Sequence, residues 1–206
     1  MFQNRQDAGR QLGAALAQRR LKRPVVLGLP RGGVVVAAEV ARALGGDLDV
    51  VLVKKLRAPG NPELAVGAVA EDGRYVLNQI PVAEEYLAAE RAARLAEMEQ
   101  QRQRYRAVKP RLPVTGRHVV LVDDGLATGA TMSAAVQTTA LLRPTRLLVA
   151  APVGPLETVE QFQELDAVAD VVCLMTPVEF EGVGQFYLDF RQVSDDEVVA
   201  LLRGQP

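Results

Sequence analysis

Two adjacent carboxylates, Asp123 and Asp124, directly follow the run of four apolar residues at 119–122. A run of this kind, rich in β-branched residues, predicts a strand that is buried on both faces, as in a parallel sheet. The residues at 133–142 then predict a helix. In an open α/β sheet the ligand crevice lies at the carboxyl ends of the strands, so both carboxylates are expected to face it.

The loop between this strand and the helix is rich in small and hydroxyl-bearing residues. Backbone N–H groups at a helix N-terminus favour a phosphate dianion, so residues 128–131 are a predicted anion site. Gly129 would allow close approach, and the hydroxyls of Thr128 and Thr131 would add two donors. Carboxylates are poor phosphate partners but good acceptors for vicinal hydroxyls. The pattern therefore predicts a ribose whose 2′ and 3′ hydroxyls meet the two aspartates while its 5′-phosphate lies in the loop.

The segment 119–132 resembles the phosphoribosyl-pyrophosphate (PRPP) signature of type I phosphoribosyltransferases, and its Asp-Asp-x-x-Ala-Thr-Gly-x-Thr form is closest to the adenine-type enzymes. The resemblance implies that Asp123 and Asp124 bind the ribose of PRPP. It also implies that the 5′-phosphate is bound by Ala127, Thr128, Gly129, Ala130 and Thr131. Ala127 stands where the hypoxanthine-guanine enzymes carry an aspartate proposed as a general base. That role has no candidate here, and a 6-oxopurine substrate is not indicated.

A second glycine-rich loop, Pro30-Arg31-Gly32-Gly33, lies between a predicted strand at 25–29 and a predicted helix at 34–44. Arg31 supplies a permanent positive charge, while Gly32 and Gly33 allow close backbone approach. The loop is not a Walker A loop, because the Gly-Lys-Ser/Thr ending is absent. Its residues alone are equally compatible with a tight βα turn. It resembles the pyrophosphate-binding loop of the family, which often holds a non-proline cis peptide.

Three cations, Lys54, Lys55 and Arg57, follow a strand predicted at 48–53 and are placed at its carboxyl end. They form either a solvated edge or a further phosphate contact. By resemblance they are candidates for binding pyrophosphate, because the family places a mobile lid loop in this region. The apolar runs at 64–70 and 75–77 flank a turn and predict a hairpin.

Alternating strands and helices predict an α/β fold with a doubly wound, mostly parallel sheet. The resemblance makes it the type I phosphoribosyltransferase fold with a small C-terminal hood-like appendage. The predicted division is a core at 1–175, with a helical insertion at about 81–108, and a hood-like segment at 176–206. The 81–108 helix has a thin apolar stripe, which fits a partly exposed helix on the rim or at a dimer interface.

Four of the nine aromatic residues fall within eleven positions near the C-terminus. Phe180, Phe186 and Tyr187 are candidates for stacking on a heteroaromatic base. The alternative is that these rings anchor the C-terminal segment to the core. No base code is readable from them.

Composition excludes several classes of protein. The 24 Lys and Arg residues are interspersed with 25 Asp and Glu residues, for a net charge of −1, so no nucleic-acid-binding surface is indicated. The lone Cys173 lies in an apolar run and predicts a buried hydrophobe, with no disulfide framework or Cys/His metal cluster. His118 precedes the central strand at the end away from the crevice. No secretory signal or membrane span is expected, which predicts a cytoplasmic protein.

The implied reaction is attack of a purine or pyrimidine nitrogen on C1′ of PRPP, giving a nucleoside 5′-monophosphate and pyrophosphate. Asp123, Asp124 and Arg31 are the residues assigned to catalysis by positioning and charge stabilisation. Mg²⁺ is expected to bind mainly through PRPP, with Asp123 or Asp124 contacting it through water.

Two alternatives remain. The first is a non-catalytic protein that senses PRPP or a nucleotide on the same fold. The second is a PRPP synthetase-like diphosphotransfer enzyme, which would need an ATP site for which no phosphate motif is left. The acceptor base and the oligomeric state stay open, with a homodimer as the arrangement common in the family.

Overall fold

The structure is a computed structural model that describes residues 1–204, apart from the side chain of Glu63. The helices are α1 (Arg5–Ala17), α2 (Gly32–Leu44), α3 (Glu84–Arg106), α4 (Ala130–Ala140), α5 (Leu156–Gln163) and α6 (Asp195–Arg203), with a short 3₁₀ helix at Val183–Phe186. The strands are β1 (Val25–Gly28), β2 (Asp47–Val50), β3 (Val53–Ala58), β4 (Asn61–Ala70), β5 (Tyr75–Leu77), β6 (His118–Val122), β7 (Arg146–Val153) and β8 (Asp170–Met175).

Five parallel strands form the central sheet in the order β2-β1-β6-β7-β8. Successive side chains point to opposite faces, so each strand contributes to two cores. Val26 and Val120 pack in the core that includes α1, α2 and α6, whereas Val25 and Val119 pack in the core that includes α4 and α5. Helices therefore cover both faces, which confirms the predicted doubly wound α/β fold.

The predicted hairpin is confirmed as part of a separate antiparallel sheet, β3-β4-β5. The predicted strand at 48–53 is wrong in its extent. After Val51 N–H donates to Gly28 O (3.1 Å), the chain leaves the parallel sheet, and Leu52 O accepts from Glu71 N–H (3.1 Å) at the start of the hairpin turn. As a result, the cations at 54, 55 and 57 lie within β3 and not at the carboxyl end of a parallel strand.

Helix α3 packs against β3 and α6 through a single stripe of buried side chains, Leu87, Arg94, Met98 and Tyr105. Its C-terminal end is fixed by Arg106, which pairs with the buried carboxylate of Asp49 at 2.7 Å and with Glu71. The helix thus lies over the antiparallel sheet of its own chain. A role at a dimer interface stays a prediction.

The N-terminal and C-terminal segments are hydrogen-bonded to each other. Phe2 N–H donates to Phe186 O (2.8 Å), and Phe2 O accepts from Leu188 N–H (2.9 Å). A capping box formed by Ser194 and Glu197 begins α6, as its sequence predicts. Residues 205 and 206 of the predicted 176–206 segment lie outside the described residues, and the division into core and appendage stays a prediction.

His118 and Cys173 are the only histidine and the only cysteine of the sequence. His118 begins β6, and its Nδ1 accepts from Lys22 N–H (3.1 Å) at the amino-terminal edge of the sheet. Cys173 is half-buried, and burial raises the pKa of its thiol to about 11, so it is protonated at neutral pH. Across the described residues, no helix combines enough length and apolar character to cross a membrane.

Candidate functional site

Asp123 and Asp124 follow β6 at the carboxyl edge of the sheet, as predicted. Asp123 N–H donates to Ala150 O (3.3 Å) and Leu126 N–H donates to Val153 O (2.8 Å), so β7 fixes both ends of the turn. Asp123 Oδ1 accepts from the N–H of Asp124 at 2.9 Å. Both carboxylates are half-buried; a backbone N–H holds that of Asp123, and the side chain of Arg5 holds that of Asp124.

The loop at 127–131 leads into the N-terminus of α4, where Ala130 N–H donates to the hydroxyl of Thr128 at 3.4 Å. Helix α4 begins at Ala130, three residues earlier than the sequence predicts, because Gly129 caps it in the left-handed region with φ 68°. The N–H groups of a first helical turn have no intrahelical partners. Thr128 and Thr131 are exposed beside them, the latter within that first turn. The predicted phosphate-binding residues are thereby brought to one helix terminus.

Helix α5 packs against this loop through Thr158 and Phe162. The hydroxyl of Thr158 donates to Ala127 O at 3.1 Å. A Cβ atom at position 129 would lie 2.9 Å from both the Thr158 methyl group and the Phe162 ring, so only glycine fits between loop and helix. The position of the loop therefore depends on packing as well as on its own residues.

The loop at 30–33 lies directly against the two aspartates. The Pro30–Arg31 peptide is cis, as the family resemblance implies. A Cβ atom at Gly33 would lie 2.8 Å from Val122 O and 2.9 Å from Asp123 Cα. A Cβ atom at Gly32 would lie 1.9 Å from Asp124 Oδ2. The 30–33 loop and the two aspartates, about 90 residues apart in the chain, are thus in contact at positions where only glycine leaves enough room.

Two adjoining cavities open beside these loops. The first, of about 320 Å³, is lined by Thr131 of α4 and by the three cations of β3, Lys54, Lys55 and Arg57. The second, of about 510 Å³, is lined by Arg31 and Gly32, and it shares Pro30, Lys54 and Gln101 with the first. Thr131 and all the predicted pyrophosphate-binding residues except Gly33 therefore line two adjoining cavities, whereas residues 127–130 and the two aspartates are not among the lining residues.

The C-terminal aromatic residues make extensive contacts with one another. Tyr187 is buried between Phe2 and Phe190, with ring centroids at 5.3 and 5.0 Å, and its hydroxyl donates to Asp124 O at 2.6 Å. These contacts favour the anchoring alternative for Tyr187. Phe180 and Phe186 stack on each other at 5.6 Å and are half-buried, so base stacking by these two stays a prediction.

Sequence reasoning missed three side chains of the site. Arg5 Nε donates to Asp124 Oδ2 at 2.7 Å, and Arg94 and Gln101 of α3 line the first cavity. A signal for Arg5 exists in the sequence: it is the first residue of a helix, where the helix dipole disfavours a cation unless an acid pairs with it. Arg94 is buried beside Glu90 and Glu97, and the thin apolar stripe of α3 does not reveal that an arginine belongs to its buried face.

Burial raises the pKa of Asp123 well above its ordinary value, and the nearby charge of Asp124 raises it further. The N–H of Asp124 and the guanidinium of Arg5 oppose this effect only in part. Ionisation of the Asp123 carboxylate therefore costs folding free energy, and a cationic or hydroxyl-bearing ligand would offset this cost.

This cost predicts the pH dependence of stability. Between the ordinary and the raised pKa of Asp123, the folded chain binds more protons than the unfolded chain, so stability is lost as pH rises. Asp123→Asn lacks this titration. Its stability advantage over the wild type is expected to grow as pH rises above about 4 and to level off above the raised pKa.

Urea denaturation of both proteins over a series of pH values measures this difference. Asp166→Asn, at an exposed carboxylate near the opposite edge of the sheet, is the control and should follow the wild type. Parallel pH profiles for the wild type and Asp123→Asn would contradict the prediction.

Comparison with known proteins agrees with this geometry. The model of a phosphoribosyl transferase domain family matches residues 3–170. Proteins of two Mycobacterium tuberculosis strains, provisionally named phosphoribosyl transferases, are 49% identical over 98% of this chain and 46% of their own length. The chain thus spans about half the length of these curated relatives.

Among solved structures, the crystal structure of TT1426 from Thermus thermophilus has 50% sequence identity to this chain and a TM-score of 0.94. The match covers 99% of this chain and 98% of that one. The AQ2163 protein of Aquifex aeolicus, at 12% identity, TM-score 0.50 and coverage of 82% and 73%, shares the fold.

Proposed function

The chain belongs to the type I phosphoribosyltransferase family, and from this membership we propose that it transfers the 5-phosphoribosyl group of PRPP to a nitrogenous base. The products would be a nucleoside 5′-monophosphate and pyrophosphate. One observation carries the proposal: the 30–33 loop lies against Asp123 and Asp124, beside a cavity lined by three cations and Thr131. A ligand that fits must combine hydroxyl donors with phosphate at more than one position.

Binding would place each part of PRPP against a different element. The ribose hydroxyls donate to Asp123 and Asp124, and the 5′-phosphate accepts from the N–H groups at 127–131. The diphosphate lies toward Arg31 and the cations of β3. Because these groups are fixed by β7, α5 and the glycine contacts, the sugar is held without further reorganisation.

The reaction needs charge stabilisation and no nucleophilic side chain. The bond from C1′ to the diphosphate oxygen breaks as the bond from C1′ to the base nitrogen forms, and the electron pair leaves with pyrophosphate. The cations around the cavities stabilise the charge that develops on the leaving group. With Ala127 in the turn, we assign the proton of the acceptor nitrogen to solvent and to no side chain.

The donor set fits Mg²⁺ that is carried mainly by substrate. Carboxylate oxygens of Asp123 and Asp124 are the ligand type that this ion prefers, and it usually keeps several waters. Among the described residues, no group of three or more His, Cys, Asp or Glu is arranged to hold a metal ion. When bound, Mg²⁺ would neutralise diphosphate charge, with Asp123 or Asp124 contacting it through water.

A second candidate is a PRPP- or nucleotide-sensing protein on the same fold. The observation that favours it is that Asp124 already pairs with Arg5, so a ligand meets a carboxylate that is engaged. The cations of β3 favour the enzyme, because by family resemblance they lie in the region of the lid that closes over the reacting centre.

Pyrophosphate release from PRPP and Mg²⁺, measured against a panel of free purine and pyrimidine bases, separates the two candidates. Release that depends on one base supports the transferase and identifies its acceptor. PRPP binding without release for any base supports the sensor.

Thr131→Val is expected to weaken the binding of 5′-phosphorylated ligands. The change keeps the β-branched shape and removes one hydroxyl donor to a charged group, a loss of about 1.5–3 kcal/mol, roughly ten- to hundredfold in affinity. Calorimetric titration should show this loss for PRPP and ribose 5-phosphate, with pyrophosphate affinity unchanged.

The control is Thr145→Val, at an exposed threonine on the opposite edge of the sheet. If Thr131→Val lowered the affinity for pyrophosphate as much as the affinity for ribose 5-phosphate, the assignment of this loop to the 5′-phosphate would be wrong.

A further inference from the structure

Arg5 makes three contacts that connect α1 to the crevice. Its Nε donates to Asp124 Oδ2 at 2.7 Å, and its Nη1 donates to Arg191 O at 2.8 Å. Its guanidinium lies over the ring of Phe190, 3.8 Å from the centroid. A guanidinium has five N–H donors, and the hydrogen bonds found within residues 1–204 use two of them. The other three N–H groups have no hydrogen-bond acceptor among the described residues.

The N-terminal segment that carries Arg5 is hydrogen-bonded to residues 186–189. Asp189 N–H donates to Gln3 O at 3.0 Å, and the bonds between Phe2 and residues 186 and 188 extend this pairing. Arg5 is only 9% exposed. Burial of a guanidinium is costly unless acceptors surround it, and Asp124 is its one carboxylate partner among the described residues.

The buried guanidinium lines the cavity of about 510 Å³ together with Arg31 and Lys54. The described residues that line this cavity include no Asp or Glu. Arg5 pairs with Asp124 and Lys54 lies 4.0 Å from Glu97, so the three cations beside this cavity outnumber their two carboxylate partners. The remaining positive charge favours an anion. A Cβ atom at Gly32 would lie 2.7 Å from Arg5 Nε, so the 30–33 loop touches this side chain directly.

We propose that Arg5 is a further binding residue for the diphosphate of PRPP, which it contacts through the donors that Asp124 and Arg191 leave free. This inference rests on the proposed function and extends it to the N-terminal helix. The same guanidinium then connects the ribose-binding acid to the leaving group, because one planar group contacts Asp124 and faces the diphosphate. Arginine suits this task, since its fork of donors serves two acceptors at once.

The test is calorimetric titration of Arg5→Met and Arg5→Lys with inorganic pyrophosphate and Mg²⁺, and separately with ribose 5-phosphate. Arg5→Met is expected to lose pyrophosphate affinity about tenfold or more, and Arg5→Lys to lose less because it keeps the charge. The matched control is Arg10→Met on the same helix, where the arginine is exposed and lies 3.5 Å from Asp7. Its pyrophosphate affinity should equal that of the wild type.

Asp124→Asn supplies a second variant in case Arg5→Met does not fold. It frees Arg5 from its carboxylate partner, so pyrophosphate affinity should increase while ribose 5-phosphate affinity falls, and an unchanged pyrophosphate affinity would contradict the inference. A purely structural ion pair predicts the opposite pattern: Arg5→Met and Arg5→Lys would weaken ribose 5-phosphate and leave pyrophosphate unchanged. That result would overturn the inference alone, since the wild type would still bind PRPP. A wild type that binds neither PRPP nor pyrophosphate would overturn the proposed function and this inference together.

Discussion

Asp123→Asn is expected to lose PRPP affinity by more than about a hundredfold and, at neutral pH, to unfold at a higher temperature than the wild type. The carboxylate accepts hydrogen bonds from ribose hydroxyls, and each such bond to a charged group contributes about 1.5–3 kcal/mol. The raised pKa of Asp123 shows that its charge is unfavourable in the folded chain, so removal of the charge stabilises the fold. Calorimetric titration with PRPP and thermal unfolding of the ligand-free chain measure the two effects.

Asp124→Asn is the informative comparison, because Asp124, unlike Asp123, forms an ion pair with the buried Arg5. It should also lose PRPP affinity, but its Tm should fall, since Arg5 would remain buried without a carboxylate. Loss of one member of a buried pair costs about 3–5 kcal/mol. Tm changes of the same sign in both variants, or an unchanged PRPP affinity in Asp123→Asn, would contradict the assigned roles.

Gly33→Ala is expected to destabilise the fold and to disrupt the site at the same time. The new Cβ atom would lie 2.8 Å from Val122 O and 2.9 Å from Asp123 Cα, and both atoms belong to backbone that β1 and β7 hold in place. Insertion of one methyl group into such a contact costs about 1–3 kcal/mol. Displacement of Asp123 should reduce PRPP affinity as well, and urea denaturation with titration measures both losses.

Gly182→Ala is its control, since a Cβ atom at that position has no neighbour within 4 Å. It should change neither stability nor PRPP affinity appreciably. If Gly33→Ala were as mild as Gly182→Ala, the close packing of the 30–33 loop on the aspartates would not be needed for binding.

The parts of the site that are local in the chain could be predicted from sequence. The apolar run before Asp123 identifies a buried parallel strand, and strand direction then places both acids at the crevice edge. Small residues and hydroxyls in the next turn identify the loop at 127–131. The cis peptide after Pro30 and the assignment to a particular fold family came from the resemblance and not from residue patterns.

The parts that depend on distant contacts could not be predicted. The continuous apolar run gives no sign that the strand ends near Val51. The strand ends there because Leu52 O accepts a hydrogen bond from Glu71 N–H of the hairpin. Nothing local identifies Asp124 as the partner of Arg5, which lies 119 residues earlier. The sequence of α3 alone is compatible with an exposed Arg94, and only packing on β3 places this side chain beside the cavity.

Calorimetric titration of the whole chain with PRPP in the presence of Mg²⁺ tests the central claim most directly. We expect saturable binding of one PRPP per chain, which excess pyrophosphate weakens by competition and which Asp123→Asn weakens by more than about a hundredfold. A titration with no binding heat at any temperature tested, together with no displacement of PRPP in an independent equilibrium assay, would contradict the assignment of residues 119–132 to PRPP.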